Sequence, residues 1–69
     1  KDAVSAERAF QNALQLEPEN TGFLLSCARC QMAQKKFGAA EKTLARILRG
    51  QDSADKRYAA SLLETLKNN

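Results

Sequence analysis

Residues 6–20 read Ala-Glu-Arg-Ala-Phe-Gln-Asn-Ala-Leu-Gln-Leu-Glu-Pro-Glu-Asn, and the spacing inside this run decides the fold. Together with Ala3, the apolar residues Ala6, Phe10, Ala13 and Leu14 recur at intervals that place them on one stripe of a 3.6-residue helix. Strand-like alternation is absent. Pro18 ends the helix: it lacks an amide hydrogen and pushes Glu17 out of the helical region. Asn20 or Thr21 then suits the cap of a second helix, accepting a bond from its free amides.

The same logic extends to the end of the chain. Leu24, Leu25, Cys27, Ala28, Cys30 and Met32 give the second helix its apolar surface, and a turn around Lys35, Lys36 and Gly38 is expected to break it. A third helix follows with Phe37, Ala40, Leu44, Ile47 and Leu48 on its stripe, and Gly50 suits a left-handed end. Asp52 or Ser53 caps a fourth, whose buried residues should be Tyr58, Leu62, Leu63 and Leu66. Asp55 favours the positive start of that helix and Lys67 its negative end. Four helices of about 11 to 15 residues joined by short loops must lie as antiparallel neighbours.

Helices one and three also repeat each other. Shifted by 34 residues, Lys1 meets Lys35, Ala6 meets Ala40, Glu7 meets Glu41 and Leu14 meets Leu48. Arg8 and Lys42 agree in charge, and Phe10 and Leu44 agree as bulky apolar groups. A fixed period of this length is the mark of stacked helix pairs.

These residues resemble the tetratricopeptide repeat, a 34-residue helix–turn–helix unit. The family's second helix carries a small residue, a bulky one four later, a small one three after that, and a proline five further on. Ala6, Phe10, Ala13 and Pro18 reproduce that order and spacing. In the next unit Leu24, Cys27 and Ala28 sit where the family places its aromatic, leucine and small residue; Phe37, Ala40 and Leu44 follow suit. Ile47 replaces the second small residue, Asp52 the proline, and Gln31 an aromatic. The resemblance implies an all-α fold, an α-α superhelix of antiparallel helix–turn–helix repeats. Residues 1–69 then form one domain: 1–19 the second helix of a partial repeat, 20–52 a full repeat, 53–69 a terminal or capping helix. Small residues at Ala6, Ala13, Ala28 and Ala40 let helices approach, while Phe10, Leu24 and Leu44 fill the gaps. Leu62 stands where the offset demands a small residue opposite Ala28, which suits a cap.

What this scaffold does is read mostly from its surfaces. A chain of 69 residues buries only about 60% of its unfolded surface, so its core is marginal. It begins at Lys1 without a methionine, from which a piece of something longer is expected. The uncovered face of helix one then calls for a truncated array or a dimer that supplies the missing contact. The net charge of +3 is mild. Basic residues gather after Lys35 (Lys36, Lys42, Arg46, Arg49, Lys56 and Arg57) and the acids Glu7, Glu17 and Glu19 lie earlier, which suits a solvated helical surface or an acidic partner. No aromatics interleave with the basic residues as single-stranded nucleic-acid platforms require, so no nucleic acid is expected. The longest apolar runs are far too short for a bilayer, and no membrane role is expected.

Catalytic constellations are missing from the sequence. There is no histidine, no Gly-rich phosphate loop and no serine with a plausible base, so the chain is expected not to be an enzyme and to carry no cofactor. Glu7, Glu41 and Glu64 lie on helix faces near Arg or Lys and are expected to be salt-bridged surface. Cys27 and Cys30 form a Cys-x-x-Cys inside a helix, without the further ligands zinc needs or the strand-to-helix entry of a redox motif. Two core thiols in a reduced, cytoplasmic-type protein are expected instead. The resemblance implies a concave face lined by the first helix of each repeat, where a peptide or protein partner docks. Here that face comprises Leu25, Arg29 and Met32 with Lys56, Ala59 and Leu63. An architectural or oligomerising role in a larger assembly is the alternative.

Overall fold

In the computed structural model, residues 2–50 and 53–68 are described. They form four helices: α1 Ala3–Leu16, α2 Thr21–Ala33, α3 Phe37–Leu48 and α4 Ala54–Lys67. α2 packs against both α1 and α3, α3 against α4, and α2 also touches α4. The arrangement is a row of antiparallel hairpins, as the short connections require.

Local chemistry sets the boundaries. Asp2 starts α1, its Oδ1 accepting from Val4 N–H at 3.1 Å and its Oδ2 from the Ser5 hydroxyl at 3.0 Å. Of the two cap candidates for α2, Asn20 takes the role, its Oδ1 accepting from Phe23 N–H at 3.0 Å. Ser53 caps α4, its Oγ accepting from Lys56 N–H at 3.2 Å; Asp52, like Lys1, lies outside the described residues. Such caps satisfy amides that the helix itself leaves free and contribute about 1 kcal/mol each.

The α2–α3 turn departs from the sequence expectation. Gly38 lies inside α3, and the left-handed residue is Lys35, at φ 63°. Lys36 N–H donates to Gln31 C=O at 2.8 Å and Lys35 N–H to Met32 C=O at 2.9 Å. This paired closure satisfies the last carbonyls of α2 and holds the chain in a region that costs a side-chain-bearing residue about 1–2 kcal/mol. Gly50, expected to be left-handed, is not: no described glycine has positive φ. α3 closes through Gly50 N–H donating to Ile47 C=O at 3.0 Å, a bond that needs no left-handed residue.

The core is the set the periodicity selects: Leu14, Leu24, Cys27, Ala28, Leu44 and Ile47 are buried together with Ala59, and Ala40 is buried beside them. Alanines in the seams let backbones close up, and Leu24, Leu44 and Ile47 fill the space between. Two stripe residues fall elsewhere. Phe37, in the first turn of α3 at the end of its seam, is exposed, and so is Tyr58. On α4 it is Ala59 that is buried, with Leu62, Leu63 and Leu66 packed partly against the cluster. Leu62, Leu63 and Leu66 are thus on the expected stripe, and Tyr58 lies at its edge, on a side of α4 that no described helix covers.

Candidate functional site

α2 sits in the middle of the row, and its sequence serves three surfaces. Leu24, Cys27 and Ala28 enter the core. Leu25 and Met32 are half-buried and Arg29 is exposed on the same side of the helix. Their spacing of four and three residues keeps them on one face. α4 lies alongside, tied at its first turn: Thr21 Oγ1 donates to Asp55 Oδ2 at 2.6 Å, between positions 34 residues apart.

The expected groove residues of α4 divide. Lys56 is half-buried, its Nζ donating to Gly50 C=O at 3.3 Å. Leu63 lines a depression with Leu48 and Ala60, between α3 and α4. Ala59 has no exposed surface at all, so it has nothing to offer a partner; its role is to let α4 approach the core. Arg29 opens onto a different depression, an α1–α2 groove of about 390 Å³ whose lining includes Ala3, Ala6, Phe10, Cys30 and Ala33. Phe10 also meets Phe23 of α2 with ring centroids 6.3 Å apart, inside the range where tilted aromatic pairs attract.

The main feature that sequence reasoning missed is a buried polar network. Glu7, expected on the surface, is only 7% exposed. Its Oε1 accepts from Gln34 Nε2 at 2.7 Å and from Lys36 Nζ at 3.4 Å. Its Oε2 accepts from Gln11 Nε2 and Gln31 Nε2, both at 3.0 Å. The chain continues inward, with Thr43 Oγ1 donating to Gln31 Oε1 at 2.7 Å. Thus Gln31, standing where the family usually has an aromatic, bridges α1 and α3 by hydrogen bonds instead of by ring packing. The donors, chiefly Gln34 and then Gln31, hold the Glu7 carboxyl below the usual carboxylate range against the opposing effect of burial. Its ion pair with Lys36 is as expected; its burial is not.

The cysteines behave as core residues. Both are free, Cys27 buried and Cys30 half-buried at the groove. Burial, reinforced by the nearby Glu7 charge, pushes the Cys27 thiol above its ordinary range and keeps it protonated. Among the described residues no three His, Cys, Asp or Glu side chains converge as metal ligands would. No helix there is long and apolar enough to cross a membrane.

The family model described as Tetratricopeptide repeat matches residues 1–66. The chain belongs to the tetratricopeptide repeat family. Comparison with curated proteins and with solved structures returned no match. Tetratricopeptide repeats generally mediate protein–protein interactions and are typically non-enzymatic. The Gln31-centred network is therefore this chain's own solution to a family position, and Ala28 and Ala40 are its version of the family's small residues.

Proposed function

We propose that this tetratricopeptide repeat chain is a protein-interaction scaffold. On this reading it works by binding, and adjacent helices α2 and α4 offer Leu25, Arg29, Met32, Lys56 and Leu63 to a peptide or protein partner. The observation that carries the reading is the Thr21–Asp55 hydrogen bond, which sets equivalent turns of the two helices side by side. Half-buried apolar groups and two cations on neighbouring helices suit an extended partner with acidic and apolar residues, since complementary charge sets approach and register. The division into a partial repeat (1–19), a full repeat (20–52) and a terminal helix (53–69) belongs to the same proposal. So does a reducing, cytoplasmic setting, which the two free thiols support.

Selection from a displayed peptide library tests it. Selected peptides should be acidic and apolar, and Arg29→Glu, an exposed change that spares the fold, should weaken them at least about tenfold. Peptides bound equally well by the variant would refute the assignment of this face. A second reading, an architectural or oligomerising segment, is supported by a separate observation: Ala6, Phe10 and Ala13 of α1 remain half-covered.

A further inference from the structure

The 34-residue offset also pairs positions that never enter the core. Arg8, Asn12 and Gln15 of α1 fall on Lys42, Arg46 and Arg49 of α3. All six are exposed, and spacings of four and three residues keep each trio on one side of its helix. α2 and α4 both pack on α3, so the outer side of that helix is defined by neighbours that are present. Gln15 and Arg46 border one depression of about 280 Å³ with Leu14, so the outer sides of α1 and α3 join. Four of the six positions are cations and none is an acid, in a chain whose net charge is +3. Among the described residues no carboxylate lies within ion-pair distance of any of the four; the ion pair there is Lys36–Glu7.

We infer that this outer face of α1 and α3 docks an extended, acidic segment of a protein partner. It is separate from the α2–α4 face proposed above and shares no residue with it. The spacing of the cations suits an extended chain. Along α3 they rise by about 6 Å and then about 4.5 Å, while alternate residues of an extended segment stand about 6.7 Å apart on one side. The recess beside Arg46 suits acidic side chains better than a flat polyanion. Its guanidinium is held against the α1–α2 loop, Nη2 donating to Pro18 C=O at 3.2 Å, which leaves the rest of the fork to grip a carboxylate. A glutamate side chain reaches into the depression there, whereas a lipid surface rests on its rim. None of the six positions carries an aromatic ring on which bases could stack. Glu19 sets one end of the footprint: with Arg46 and Arg49 it borders a second depression of about 100 Å³, where another carboxylate would be repelled. The acidic run therefore lies over Lys42 and Arg46 and extends towards Arg8. Its contacts are solvent-exposed, so the affinity is modest and falls with salt.

Titration of the isotope-labelled full chain with a decaglutamate peptide, followed by backbone amide and arginine side-chain shifts, tests this. Self-repulsion keeps that peptide extended at neutral pH. Shifts should concentrate at Arg8, Lys42, Arg46 and Arg49, with half-saturation at or below about 1 mM. The affinity should fall several-fold as salt rises from about 0.01 to about 0.15 M, where screening shortens from about 30 to about 8 Å. The triple variant Lys42→Gln, Arg46→Gln, Arg49→Gln changes exposed positions and should keep the thermal midpoint. It should bind at least about tenfold more weakly, since each exposed pair contributes up to about fivefold. Arg29→Gln, on the other surface, should bind as the wild type does. The wild-type shift map locates the site even where a variant loses stability. Shifts centred on Arg29 and Lys56, or a triple variant that binds as tightly as the wild type, overturn the inference. So does a wild type that shows no shift at about 1 mM peptide. Vesicles of phosphatidylcholine with phosphatidylserine, and an oligothymidylate of the same length, are the competing polyanions. Tighter binding of either through the same four cations overturns it in favour of a membrane or nucleic-acid surface.

Discussion

Replacing Glu7 with leucine should destabilise the domain by about 2–4 kcal/mol, although sequence alone places Glu7 on the surface. The magnitude follows from what the carboxylate holds. Gln31 Nε2, buried, has its hydrogen bond to Glu7 and would be left a donor without an acceptor, which costs about 1–3 kcal/mol. The bond from Gln34 at 2.7 Å is charge-assisted and adds to the loss, though Gln34 keeps a fallback in Cys30 C=O at 3.1 Å. A chain of this size has a total stability of roughly 4–10 kcal/mol, so the loss is a large share of it. Glu7→Leu combined with Gln31→Leu should recover most of the deficit. Thr43 Oγ1, released from Gln31, can turn its one proton to Ala39 C=O, which lies at 3.0 Å, and apolar groups of similar shape can replace both partners of a buried bond. Urea unfolding followed by circular dichroism measures both. The pH dependence carries an independent sign. The folded state holds the Glu7 carboxyl below its ordinary value of 4.5, so its contribution is fully present above that pH and fades as pH falls through the depressed value. Glu7→Leu should flatten that acid limb. A single variant as stable as the wild type at pH 7, or a double variant worse than the single, would refute the reasoning.

Other consequences are direct. Ala40→Leu, at a position with no exposed surface, should overpack the seam and lower stability by about 1–3 kcal/mol, read as a lower thermal midpoint. Lys35→Gly should raise stability by up to about 1 kcal/mol, because it relieves the left-handed strain while adding some unfolded-state freedom. In the folded protein Cys27 should react with a thiol reagent far more slowly than Cys30, and in urea the two should react alike, since burial and a raised pKa protect only the former.

Much of the fold was legible because its determinants are local and periodic. Pro18 and Asn20 mark a helix end and start without any tertiary information, and the 3.6-residue apolar periodicity selects Leu24, Leu44 and Ile47 for the core. What escaped depends on neighbours. A glutamate near lysines reads as surface, and the burial of Glu7 is visible only once Gln31, Gln34 and Lys36, distant in sequence, converge on it. Tyr58 sits on an apolar stripe, but a stripe does not say whether another helix covers it. Lys35 was missed because a nearby glycine is the usual left-handed residue. At the candidate surface, the family resemblance assigned Leu25, Arg29 and Met32 of α2 to a concave face, and their spacing agrees with one side of the helix. The resemblance also assigned Ala59 to that face, where only the coordinates reveal that it is fully buried.

The central claim is that two helical hairpins stack with a period of 34 residues, so that Thr21 and Asp55 meet at equivalent turns. Nuclear Overhauser contacts in an isotope-labelled sample test it most directly. The account predicts cross-peaks between the Thr21 methyl and the Asp55 β-protons, and between the Thr43 methyl and the Gln31 side-chain amide. A folded, helical protein lacking the Thr21–Asp55 contact would contradict the stacking.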